Sequence, residues 1–84
     1  MFNFGTFAWA TLPDGEKCAL DEERFVYWTI ARARKYLAKE VAAHPGCTSV
    51  TVEIRRPSKG ASEQEVLTLT SYGREAARRM DEAL

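Results

Sequence analysis

Ser49-Val-Thr-Val-Glu-Ile-Arg-Arg-Pro-Ser-Lys-Gly-Ala-Ser-Glu-Gln-Glu-Val-Leu-Thr-Leu-Thr-Ser-Tyr72 is the stretch that decides the fold of this chain. From Ser49 to Arg56, Val50, Val52 and Ile54 fall on one face and Thr51, Glu53 and Arg55 on the other. A period of two is the signature of a half-buried strand. Glu65 to Tyr72 alternates in the same way, with Leu67 and Leu69 opposed to Val66, Thr68, Thr70 and Tyr72. Pro57 to Ser62 reads as the loop between them, with Gly60 at its middle. The two strands are expected to pair as a hairpin.

The segment before this hairpin has the period of a helix. Val26, Ile30, Ala33, Leu37 and Val41 recur at steps of three and four, a stripe suited to a core. Asp21 reads as the N-cap, with Glu22 and Glu23 complementing the dipole and Leu20 and Phe25 forming a hydrophobic staple. His44-Pro45-Gly46 is a strong stop, because a residue before proline avoids the α region. The spacing predicts a helix from about Glu22 to Ala43.

Residues 2–12 are rich in Phe, Trp and Thr, as a strand should be. Their alternation slips between Phe2 and Phe4 on one parity and Phe7 and Trp9 on the other, which a bulge near Gly5 would correct. Pro13-Asp14-Gly15 is a turn, after which Glu16 to Leu20 is read as a short return strand; a single N-terminal strand is the other reading. At the C-terminal end, Ala76, Ala77, Met80 and Leu84 share one side of a short helix. The expected fold is α+β: an antiparallel sheet of three or four strands in the order β-(β)-α-β-β-α, with a long and a short helix on one face.

Composition sets the class. The chain has 84 residues, 45% hydrophobic and 29% charged, which is globular rather than disordered and leaves room for one domain, residues 1–84. No apolar run approaches the roughly 18 residues of a membrane span. The N-terminus lacks the basic region of a signal peptide. Cys18 and Cys47 stand apart, without CxxC spacing, so two buried free thiols in a cytoplasmic protein are expected.

Chemistry-bearing motifs are few. There is no GxSxG, HExxH or phosphate-binding glycine loop. His44, the only histidine, is read as a polar residue near a helix C-terminus. His44 and Cys47 with Cys18 amount to one ligand pair and one lone cysteine, whereas structural zinc shows close pairs at both ends. No catalytic residue, metal or cofactor is expected, and the chain is read as a non-enzyme.

Charge is the more informative signal. Twelve Lys+Arg balance twelve Asp+Glu, but residues 1–23 carry a net −4, residues 24–59 a net +6 and residues 60–84 a net −2. On the helical wheel, Arg24, Trp28, Arg32, Lys35 and Lys39 form one cationic row around a tryptophan, which Arg55, Arg56 and Lys59 could widen. A solvated face with the indole folded over the core edge and stacked on Arg32 is the plain reading of that row. An interaction surface is the sharper one, since Trp and Arg are enriched among interface anchors. A second surface is the outer sheet face, lined by Thr51, Glu53, Arg55, Thr68, Thr70 and Tyr72. The element order overlaps that of an RNA-recognition module lacking its last strand. The third strand has none of the glycine and paired aromatics that stack bases, so no function is carried over.

These readings lead to a protein-interaction domain, an adaptor or inhibitor of a larger complex of the kind a phage or mobile element would carry. It would dock through the Trp/Arg/Lys helix face or the open sheet face, and the sheet could also pair two copies as a homodimer. Nucleic-acid binding by the cationic row is the alternative, against which overall neutrality counts.

Overall fold

The two alternating segments do pair, and they form half of a larger sheet. The computed structural model describes residues 4–58, 63–74 and 76–78. It holds β1 (Gly5–Thr11), β2 (Lys17–Arg24), α1 (Ile30–Ala43), β3 (Ser49–Pro57) and β4 (Gln64–Tyr72). The strands lie in the order β2-β1-β3-β4, every neighbouring pair antiparallel. Arg74 and residues 76–78 are helical, and the Ala77 N–H donates to Gly73 O at 2.9 Å. The fold is therefore α+β in the order β-β-α-β-β-α, two ββα halves that meet along β1 and β3. Of the expected tail, Met80 and Leu84 lie outside the described residues, as do Phe2 and, in the β3–β4 loop, Lys59 and Gly60.

One face of the sheet carries the core. Val50, Val52 and Ile54 of β3 are fully buried beside Ala8 and Ala10 of β1, under Ala33 and Leu37 of α1. Trp28 and Cys47 complete the buried set, with Leu20, Tyr36, Val41, Leu67 and Leu69 packed around it. Gly73 lies where backbone comes close: a Cβ there would stand 2.4 Å from Cys47 O.

The N-terminal half of the expected helix is strand instead. Asp21 to Arg24 continue β2, paired with Ala8 to Gly5, and α1 starts only at Ile30. The N-cap is Thr29, not Asp21; its hydroxyl accepts from the Arg32 N–H at 3.1 Å. The physical reason is non-local. A helix from Glu22 would strip the central strand β1 of half its ladder on one side, leaving backbone groups unpaired. Acidic residues also suit an edge strand, where charge discourages pairing with another chain. The irregularity in β1–β2 pairing lies not at Gly5 but between Ala8 and Trp9, where β2 passes from Asp21 to Ala19 and Leu20 is the extra residue. Gly5 serves a close approach: a Cβ there would be 2.8 Å from Glu23 O. Leu20 packs against the core and forms no staple with Phe25.

The link from β2 to α1 is tied down by one hydroxyl. Thr6, 1% exposed, donates from Oγ1 to Val26 O at 2.8 Å and accepts there from the Trp28 N–H at 3.0 Å. Trp28 Nε1 donates to Glu23 Oε2 at 3.0 Å, and its ring meets Tyr36 edge-on at 4.9 Å. Burial pushes the Tyr36 phenol up to about 12, helped by the negative charges of Glu40 and Asp21.

Candidate functional site

The helices cover one face of the sheet, and the alternation of each strand decides what the other face shows. In β1 the residues that alternate with buried Thr6, Ala8 and Ala10 are Phe7 and Trp9, partly buried on the uncovered face. β3 contributes Thr51, Glu53 and Arg55 to that face, and β4 contributes Val66, Thr68, Thr70 and Tyr72. The expected lining of the outer face is thus in place, and Thr51 and Thr70 hydroxyls face each other across the strands at 3.2 Å. β2 adds Lys17, Ala19, Glu22 and Arg24.

The two aromatics are dressed by cations. The Arg55 guanidinium lies over the Phe7 ring at 4.9 Å, and Lys17 Nζ lies over Trp9 at 5.4 Å from its centroid. Such contacts are worth about 0.5–1 kcal/mol at exposed sites. Arg55 is also paired with Glu53 along β3, and Arg24 with Glu22 at 3.0 Å along β2. Between Phe7, Trp9, Lys17, Ala19 and Glu22 the surface dips into a depression of about 390 Å³. The face is an aromatic centre with nearly balanced charge around it.

The cationic row read on the helical wheel does not survive as one surface. Trp28, its intended anchor, precedes α1 and is 3% exposed in the core. The indole does stack with Arg32, whose guanidinium carbon is 4.6 Å from the ring, as the plain reading had it. Arg32 also reaches Glu23 at 3.5 Å. Arg24 stands on the open face of β2, while Lys35 and Lys39 are exposed on α1. Arg55 and Arg56 point to opposite sides of β3, and Arg56 pairs with Glu65 at 2.9 Å. Alternation along a strand separates them; no rotation of side chains gathers the seven into one patch.

His44 and the cysteines come to one place without forming a metal centre. They line a second cavity, about 510 Å³, between the β1–β2 turn and the end of α1. His44 caps α1, its N–H donating to Glu40 O at 3.0 Å and its Nε2 lying 3.1 Å from Glu40 Oε2. Cys47 is buried, but Cys18 is exposed, against the expectation that both thiols are covered: it lies on the outermost strand, β2. Among the described residues no group of three or more His, Cys, Asp or Glu is gathered to hold a metal ion. No helix among them is long and apolar enough to cross a membrane.

Reading by residue missed Phe7 and Trp9 as members of the open face. Their shared parity was visible; what was not visible is that β1 is a central strand with alanines toward the helix. Compared with known proteins, the chain matches no family model, no curated protein and no solved structure. Any functional reading has to come from the surface itself.

Proposed function

We propose that this chain is a non-enzymatic protein-interaction domain, an adaptor or inhibitor, that docks on another protein through the open face of its sheet. The observation that supports it is the inverted patterning of β1, Gly5-Thr-Phe-Ala-Trp-Ala-Thr11, which turns alanines to the core and its large aromatics to the uncovered side. A strand patterned for folding alone does the reverse. Four strands about 4.8 Å apart and seven to nine residues long give a face of roughly 19 by 27 Å, about 500 Å² in projection, the scale of one side of a small interface.

The charge balance favours a protein over a nucleic acid. Lys17, Arg24 and Arg55 stand against Glu22 and Glu53, and two of the three cations are already paired on the face. A phosphate chain gains little from cations so engaged. The partner that fits presents an apolar or aromatic centre with a carboxylate for Lys17. Two free thiols suit a reducing compartment such as the cytoplasm.

The test replaces Phe7 and Trp9 with Thr, a residue that keeps the strand. Tagged wild-type protein is used for capture from nuclease-treated lysate, and the captured protein is then titrated with both forms. The double variant is expected to lose at least about 100-fold in affinity, since buried aromatic anchors carry 2 kcal/mol or more each. Equal affinity of the two forms overturns the proposal. Binding of labelled single-stranded oligothymidine with a steep salt dependence, lost in the double variant, would replace it with the nucleic-acid reading.

A further inference from the structure

We infer that a second copy of this chain pairs with the outer edge of β4, antiparallel about a two-fold axis through Thr68, so that two four-stranded sheets become one of eight strands. The inference uses the edge of the sheet rather than its open face, and it stands independently of the docking proposed there.

β2 and β4 are the end strands of the sheet among the described residues, and they are built differently. β2, Lys17-Cys-Ala-Leu-Asp-Glu-Glu-Arg24, carries five charged residues and an irregular step at Leu20. Charges and bulges are the devices that keep an edge from pairing further. β4 has a single charge, Glu65, which is already paired with Arg56 at 2.9 Å. From Val66 to Tyr72 it runs without a charge, a proline or a glycine, and Gln64 to Tyr72 keep an unbroken register with β3. A long, regular strand of this composition is an edge prepared for pairing, not guarded against it.

The strand is complementary to itself. A two-fold axis normal to the sheet at Thr68 sets that residue opposite its own copy, Leu67 opposite Leu69, Val66 opposite Thr70 and Glu65 opposite Ser71. Residues equally far from Thr68 have the same parity, so each pair shares a face. No like charges meet. Leu67 and Leu69 lie at the margin of the core and are only partly buried. Across the axis they meet each other, and the core continues into the second copy where it otherwise ends.

The helix singles out a second copy over an isolated strand from another protein. α1 packs on both β3 and β4, off-centre in the sheet and toward this edge. With strands about 4.8 Å apart, a helix midway over those two lies about 5 Å from the two-fold axis, which sets the two copies of α1 antiparallel and about 10 Å apart. Packed helices stand about 8–10 Å apart. Ala33 and Leu37 face the sheet, and Tyr36 meets Trp28, which bonds Glu23 of β2. The wheel therefore turns Ile30, Arg34, Ala38 and Val41 toward the β4 edge. Ile30 and Ala38 are exposed there, and the antiparallel arrangement sends the two copies of Arg34 toward opposite ends. A strand contact about 31 Å long and a helix contact about 21 Å long, each about 10 Å tall, bury about 1,000 Å² over both copies. That is the lower limit of a specific interface, and it corresponds to a dimer that exchanges with monomer at micromolar concentration.

The test uses the position that meets itself. Thr68 is exposed, so Thr68→Lys and Thr68→Glu leave the fold in place, which circular dichroism melts check. Sedimentation velocity over a concentration series should show wild type in reversible monomer–dimer exchange. Either variant alone sets like charges across the axis and should dimerise at least about 10-fold more weakly. An equimolar mixture of the two should restore the dimer. The double variant Phe7→Thr with Trp9→Thr, which strips the open face, should dimerise as wild type does. Backbone amide exchange should slow along β4, and not along β2, as concentration rises. A wild type that stays monomeric at millimolar concentration overturns the inference. So does protection confined to β2, or loss of the dimer in the Phe7 and Trp9 variant. A mixture no tighter than its two components overturns the axis at Thr68.

Discussion

Replacing Thr6 with Val tests the lock that shapes one whole end of the molecule. The two side chains have nearly the same shape, both favour strands, and Thr6 is 1% exposed, so packing is preserved and only the hydroxyl is lost. Two hydrogen bonds disappear, at 2.8 and 3.0 Å. The losses are unequal. Val26 is half-exposed, so its carbonyl can turn to water, and that bond costs about 1 kcal/mol net. The Trp28 N–H is buried, and an unpaired buried donor costs about 1–3 kcal/mol. The sum is about 2–4 kcal/mol, a large share of the roughly 4–13 kcal/mol available to a domain of this size. Urea unfolding followed by tryptophan fluorescence reads it as a lower midpoint at unchanged slope. Thr6→Ser, which keeps the hydroxyl and drops one methyl, should lose only about 1 kcal/mol. A Thr6→Val midpoint within 0.5 kcal/mol of wild type, at the precision expected of surface changes, would refute the claim that this hydroxyl organises the β2–α1 link.

Two further outcomes follow from buried groups elsewhere. Tyr36 has its phenol raised from the ordinary 10 to about 12, so its neutral form is the one the fold favours. The contribution is complete below pH 10, where the unfolded chain also keeps the proton, and is lost as pH rises through 12; it is worth about 1–2 kcal/mol after allowance for partial exposure. Chemical denaturation at stepped alkaline pH should therefore show a shallower decline for Tyr36→Phe than for wild type, and parallel curves would contradict it. Gly73→Ala should lower the melting midpoint by the equivalent of about 1–3 kcal/mol, because its Cβ meets Cys47 O at 2.4 Å, whereas at Gly46, where nothing lies within 4 Å, the same change should do little.

Where the chain announced its structure, the signal was local. Val50, Val52 and Ile54 alternate because β3 buries one face, and a one-residue slip would expose all three. The end of α1 was legible in His44-Pro45-Gly46. Its beginning was not, because Asp21-Glu22-Glu23 satisfies the local grammar of a helix start while its actual pairing is with residues 6–8, thirteen or more positions away. Thr29, a good capping residue just before Ile30, was the available signal for the true start. The site was legible in part for the same reason. The outer face of the hairpin followed from alternation, and Arg32 does touch Trp28, as their spacing implied. The direction of the indole was set by Thr6 and Glu23, which helical spacing cannot see.

The central strand carries the functional argument furthest, because its patterning works against its own stability. Ala8 and Ala10 face the helix where larger residues would bury more apolar area, and each methylene so gained is worth about 0.8 kcal/mol. That gain is closed off in this fold: Ala8 and Ala10 lie in one filled core with Val50, Val52 and Trp28, so larger side chains would overpack it. Phe7 and Trp9 have no such constraint. They lie on the other side, partly buried beneath Arg55 and Lys17, and Thr in either place would keep the strand. The filled core on that side explains the alanines. Folding gives the aromatics only the modest contacts with Arg55 and Lys17, and the docking face we propose would account for their size.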